Sequence, residues 1–229
     1  MKYKCILFDL DHTLWDYETN SREALSELHV QFGLDNRQIN EADFLRAFYK
    51  INNELWDLYD RGLLHRDVIR SQRFHQILMA LGVDDYALSL RLSDEYLERS
   101  PKKKNLMEGC RATLDYLLPK YPMVIVTNGF DEIQSTKLIS SGIDHYFRAI
   151  VTSARAGHKK PAPEIFEFAL REHQVQPGDA IMIGDNLLTD MAGAKNASVD
   201  TVFFNPNKIQ HQTPVDYEIE TLSQLKNFL

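Results

Sequence analysis

Five short, mostly apolar runs recur along the chain, at residues 5–8, 123–126, 149–152, 180–183 and 201–204. Runs of this length without apolar–polar alternation suit strands buried on both faces, as in a parallel sheet. Helical periodicity fills the intervals at 110–118, 131–141, 163–172 and 190–197, and a last helix is expected at 222–228. Alternating strands and helices predict a parallel sheet with crossover helices, an α/β, Rossmann-like core. The stretch 18–100 reads differently, as almost continuous helix broken at Gly33, Gly62 and Gly82, where helix ends favour a left-handed residue. Four helices are expected there, near 21–32, 41–61, 66–81 and 85–99. Asn20 three residues before Glu23, and Asn40 three before Asp43, resemble helix starts. Residues 1–16 and 101–229 are therefore expected to form the core, with 17–100 an α-helical bundle inserted after the first strand.

Composition narrows the partners. In 229 residues, 33 acids outnumber 26 lysines and arginines for a formal charge of −7, which argues against a nucleic-acid polymer or an anionic membrane surface as partner. Two cysteines, Cys5 and Cys110, are too few for a disulfide framework and read as buried free thiols. With no apolar leader and no stretch near the roughly 20 residues of a membrane span, the expected location is the cytoplasm. The sequence sets no oligomeric state.

The candidate chemistry stands where apolar runs end, the side of an open α/β sheet where ligands bind. Asp9 and Asp11 follow the first run, and residues two apart in extended chain face the same way. Taken alone, such a pair more often starts a turn or caps a helix. Thr127-Asn128-Gly129 follows the second run, Lys159-Lys160-Pro161 precedes the helix at 163, and Gly184-Asp185 with Asp190 follows the fourth run.

In this order the four motifs resemble those of the haloacid dehalogenase-like hydrolase superfamily, in its magnesium-dependent phosphatase branch with a helical cap. The resemblance implies a five-stranded sheet in the order 5-4-1-2-3, which brings the ends of strands 1, 2 and 4 together. It also implies roles. Asp9 would be the nucleophile, forming an aspartyl-phosphate. Asp11 would protonate the leaving oxygen and take a proton from water, its backbone carbonyl also ligating the metal. Asp185 and Asp190 would join Asp9 in facing Mg2+. Two like charges 4 Å apart repel by about 4 kcal/mol at an effective dielectric of 20, so converging acids need such a cation. Thr127, Asn128 and Gly129 would hydrogen-bond phosphoryl oxygens. Lys160, next to Pro161 as in the family motif, would balance charge at phosphorus and order Asp9, with Lys159 the competitor. Asp190 has a second reading, as N-cap of the helix through residue 197.

Residues 51–56, continuing through Tyr59 and Gly62 to Arg73-Phe74, together with 126–130, are similar to nucleotidases that clear non-standard pyrimidine nucleotides. This implies a nucleoside 5'-monophosphate, pyrimidine or deoxynucleotide, as the small-molecule phosphate ester. The alternative on the same scaffold is a sugar-phosphate or phosphoglycolate-type phosphatase, and a non-catalytic phosphometabolite-binding protein is a further one. Phe48, Trp56 and Tyr59 fall at helical spacing and read as bundle core. His12 is given no catalytic role.

Overall fold

The computed structural model describes residues 2–229, which form two compact units, one of residues 2–17 with 104–229 and one of residues 18–103. The first unit is built on strands β1 (Cys5–Phe8), β2 (Met123–Thr127), β3 (Ala149–Thr152), β4 (Ala180–Gly184), β5 (Asp200–Phe204) and β6 (Tyr217–Ile219). All neighbours pair parallel, in the order β3-β2-β1-β4-β5-β6. The expected count of five is thus corrected to six. The five anticipated strands keep the relative order 5-4-1-2-3, and β6 extends the sheet beyond β5. Its three residues, Tyr217-Glu218-Ile219, are too short a run to announce a strand. Asp216, just before it, fastens it to β5: one carboxylate oxygen accepts from Thr201 N at 2.8 Å, Thr201 Oγ1 at 3.0 Å and Lys195 Nζ at 2.5 Å.

Both faces of the central strands are buried, as the unbroken apolar runs require. Ile6 and Phe8, Met123 and Ile125, and Ile181 and Ile183 point into one core layer, whereas Cys5 and Leu7, Val124 and Val126, and Ala180 and Met182 point into the other. Period two along each strand divides these two sets. Cys5 and Cys110 are buried free thiols, and burial pushes them up to about 11 and about 12.

Helices α1 (Tyr17–Gln31), α2 (Glu41–Asp60), α3 (Arg66–Ala80) and α4 (Tyr86–Arg99) are followed by α5 (Cys110–Leu117), α6 (Asp131–Ser141), the single turn α7 (Ser153–Ala156), α8 (Pro163–Glu172) and α9 (Gly193–Asn196). The helix expected over 190–197 starts earlier and opens as a wider π turn, Leu187–Ala192, before α9. Asn186 sets the early start as its N-cap: its side-chain oxygen accepts from Leu188 N and Thr189 N, both at 2.9 Å. The segment expected as a terminal α-helix is instead a 3-10 helix, Leu222–Asn227.

In the second unit, Phe44, Phe48, Phe74 and Tyr96 pack with aliphatic residues of all four helices. Asn40 caps α2 by accepting from Asp43 N at 2.9 Å, but α1 begins ahead of Asn20, which is buried inside that helix. Arg73 is buried among aromatic rings, 4.7 Å from the Tyr96 centroid, and donates to Asn52 Oδ1 at 3.0 Å. Phe48 and Tyr59 are core residues, and Trp56 meets Tyr59 edge-on. No described helix is long and apolar enough to cross a membrane.

Candidate active site

Strands β1 and β4 lie side by side with Phe8 opposite Ile183, so the residues that follow each strand emerge together. Asp9 is the residue after Phe8, and its backbone N donates to Ile183 O at 2.9 Å. Asp185 follows β4, and Asp190 lies five residues on, in the π turn. One carboxylate oxygen from each of these three aspartates falls within 4.8 Å of the others. Gly184 makes this approach possible: a Cβ there would stand 2.3 Å from Asp190 Oδ2.

Lys160 is the cation among these acids. Its Nζ donates to Asp9 Oδ1 at 2.6 Å and to Asp190 Oδ1 at 2.5 Å, with the lysine 2% exposed. Lys160, not Lys159, is the donor to Asp9. The second Asp190 oxygen accepts from Asn186 N at 3.1 Å. Asn186, and not Asp190, is therefore the N-cap of the turn, and Asp190 faces the lysine.

Burial dominates the electrostatics. It pushes Asp9 up to about 7, against the pull of Lys160 and with Asp190 adding to the rise. Burial likewise raises Asp185 and Asp190, each to about 6. For Lys160 burial acts downward, but Asp190 and Asp9 outweigh it and hold the ammonium above its ordinary value. Once ionised, the three carboxylates exceed the single ammonium in charge and offer only oxygen donors. That set suits a hard divalent cation such as Mg2+. Asp9, Asp185 and Asp190 are the side chains that would hold it.

The Asp11 carboxylate lies outside that cluster. Lys137 Nζ donates to its oxygens at 2.6 and 2.8 Å, and Gln134 Nε2 donates at 2.9 Å. Burial alone would raise Asp11, yet the Lys137 ammonium and these hydrogen bonds hold it below the usual carboxylate range.

Thr127 ends β2, and its Oγ1 accepts from Gln134 Nε2 at 2.7 Å and from Gly129 N at 3.1 Å. Its own O–H is then the group able to donate to a ligand. Gly129 has a steric reason: a Cβ would come within 2.0 Å of Gln134 Nε2. The Asn128 side chain, expected on a phosphoryl oxygen, is engaged at both ends with the backbone of Lys160.

Three buried polar residues at the site were not singled out in the sequence. Thr13 Oγ1 donates to Asp185 Oδ1 at 3.1 Å, and no sequence signal marks it. Gln134 and Lys137 lacked a signal too: α6 is polar along most of its length, and nothing in its sequence sets these two apart from its exposed polar residues.

The chain is similar to known proteins over its full length. The family model described as haloacid dehalogenase-like hydrolase matches residues 3–198. The HAD-hydrolase YfnB of Bacillus subtilis (strain 168) is 30% identical, with 100% of this chain and 96% of that protein aligned. Its magnesium-bound crystal structure superposes with a TM-score of 0.88 at 27% identity, covering 99% of this chain and 98% of that one. The pyrimidine 5'-nucleotidase PynA of Streptococcus pneumoniae (strain ATCC BAA-255 / R6) is 27% identical, covering 100% and 96%. A glyceraldehyde 3-phosphate phosphatase of Pyrococcus furiosus is 30% identical, covering 100% and 93%. The sheet with its cluster of strand-end aspartates and the full-length sequence matches lead to one conclusion: the chain belongs to the haloacid dehalogenase-like hydrolases.

Proposed function

We propose that this hydrolase is a magnesium-dependent phosphomonoesterase that works through an aspartyl-phosphate on Asp9, with nucleoside 5'-monophosphates as substrates and pyrimidine or deoxynucleotides preferred. The observation that carries the reading is the buried Asp9 carboxylate at a strand end, held by Lys160 at 2.6 Å. A carboxylate there is a nucleophile kept in one orientation, and the ammonium offsets part of the charge that repels an anionic ester.

In the first step an Asp9 oxygen attacks phosphorus, the ester P–O bond breaks, and the leaving oxygen takes a proton from Asp11, which Lys137 keeps ionised in the free site and which therefore acquires that proton from the singly protonated phosphate of the arriving substrate. Water then attacks the aspartyl-phosphate and gives a proton back to Asp11, and the Asp9–phosphorus bond breaks to release phosphate. Thr127 and the backbone around Gly129 orient the phosphoryl oxygens, while Asn128 keeps Lys160 in place. Magnesium, when bound by Asp9, Asp185 and Asp190 with the Asp11 carbonyl, supplies positive charge for the phosphoryl group. In this reading residues 17–100 act as the cap that selects the substrate. The protein is taken to act in the cytoplasm, where two unpaired cysteines stay reduced.

Support for a nucleotide comes from the full-length similarity to PynA. The equally extensive similarity to a glyceraldehyde 3-phosphate phosphatase favours a second reading, a small phosphorylated sugar or triose. Phosphate release, measured with magnesium across nucleoside monophosphates and sugar phosphates, separates the two. The expected result is highest kcat/KM for a pyrimidine nucleotide. A preference for a sugar phosphate selects the second reading, and no phosphate from any ester rejects both.

A further inference from the structure

Helix α6 buries polar residues where an amphipathic helix carries apolar ones: Gln134, Lys137 and Ser141 share the inward face with Leu138. Lys137 is 5% exposed, and an ammonium so buried is costly unless closely paired. Its pair is Asp11, and its Nζ also lies 4.5 Å from the Trp15 ring centroid. Gln134 is fully buried, and its Nε2 bridges Asp11 Oδ2 and Thr127 Oγ1 while its Oε1 has no hydrogen-bond partner. A buried acceptor left without a donor has lost its hydration with nothing in return. Flipping the amide would turn that oxygen on the Asp11 carboxylate instead. The orientation is thus set by Asp11 and Thr127, and both Asp11 oxygens are gripped from one helix face.

We propose that Lys137 and Gln134 are positioning residues for Asp11, fixing the direction from which its carboxyl group gives a proton to the leaving oxygen and later takes one from water. The inference rests on the proton-transfer role given to Asp11 above. When the ester P–O bond breaks, its electron pair stays on the leaving oxygen, and the proton must arrive along that line. Lys137 Nζ and Gln134 Nε2 both end on the Asp11 carboxylate. Their effect passes through Asp11.

The test exploits the leaving group. The alcohol of uridine 5'-monophosphate or glyceraldehyde 3-phosphate needs a proton to depart, whereas the phenolate of p-nitrophenyl phosphate departs without one. For Lys137→Met, kcat/KM on whichever alkyl ester the wild type hydrolyses should fall so that its ratio to that on p-nitrophenyl phosphate drops about 100-fold, the scale of general-acid catalysis. Asp11→Asn should show the same bias, and the double variant should be no worse than Asp11→Asn. Lys137→Arg, which keeps the charge and serves as the second variant if Lys137→Met does not fold, should recover most of the ratio. Equal losses on both esters, additive losses in the double variant, or a ratio unchanged in Lys137→Met would overturn the inference while leaving the phosphatase reading intact. A wild type that hydrolyses none of the three esters overturns that reading, and the inference with it.

Discussion

Asn128 and Lys160 grip each other through two reciprocal hydrogen bonds: Lys160 N donates to Asn128 Oδ1 at 2.8 Å, and Asn128 Nδ2 donates to Lys160 O at 3.0 Å. The loop carrying Lys160 is thereby tied to the end of β2, and its Nζ reaches Asp9 from a fixed backbone. Asn128→Ala removes both bonds and leaves two buried peptide groups without them. Stability should fall by about 1–3 kcal/mol, read by thermal unfolding. With the lysine loosened, kcat should fall by about 100-fold, as misplacement of this kind costs. A variant with wild-type kcat would show that Lys160 is held by something else.

Replacing Asp9 by Asn keeps size and shape but removes the nucleophile. Phosphate release should drop to background while the far-ultraviolet circular dichroism stays unchanged. Normal turnover in Asp9→Asn would eliminate the aspartyl-phosphate route. A protein that only binds phosphometabolites would keep its ligand affinity and function in this variant.

The buried acids give the metal-free protein a particular pH dependence. Asp9 rises from 3.8 in the unfolded chain to about 7, and Asp185 and Asp190 to about 6, so between about pH 4 and 7 the folded state holds protons that the unfolded state has lost. Stability from this cluster therefore falls as pH rises through that window and levels off above it. The chelated protein should melt several degrees lower at pH 8 than at pH 5.5. Magnesium should raise Tm more at pH 8, where the acids are ionised, than at pH 5.5. Scanning calorimetry with and without chelator checks both signs, and phosphate release should cease in chelator.

Two glycines give a matched pair of substitutions. A Cβ at Gly184 would meet the Asp190 carboxylate at 2.3 Å, whereas one at Gly178 meets nothing within 4 Å. Gly184→Ala should cost about 1–3 kcal/mol, as overpacking does, and should displace Asp190 and with it Lys160. Activity should fall well beyond the loss of stability. Gly178→Ala should leave both Tm and turnover unchanged. Equal behaviour of the two variants would mean that Asp190 tolerates displacement.

What the sequence made legible was whatever obeys a strong local rule. Apolar runs marked β1 to β5, most clearly β1, β2 and β4, whose two faces are both buried, and the acids and glycines after them marked where the backbone leaves the sheet. Contacts between distant residues left no such mark. Strand β6 has only three residues and holds its place through Asp216 on Thr201 and Lys195. Asn186 pre-empted Asp190 as the cap because its side chain reaches two backbone N–H groups, a competition that composition does not resolve. Lys137 looks like any surface lysine of a helix until the fold brings Asp11 beside it, 126 residues away in sequence.

The central place of β1 has a consequence for synthesis. Its two neighbours in the sheet begin only at Met123 and Ala180, so a growing chain carries this wholly apolar strand with both edges bare until residues 9–122 have been made. Such edges invite pairing with other chains. The bundle of α1 to α4 is built from consecutive segments and is complete by residue 99, before either neighbour of β1 has been made.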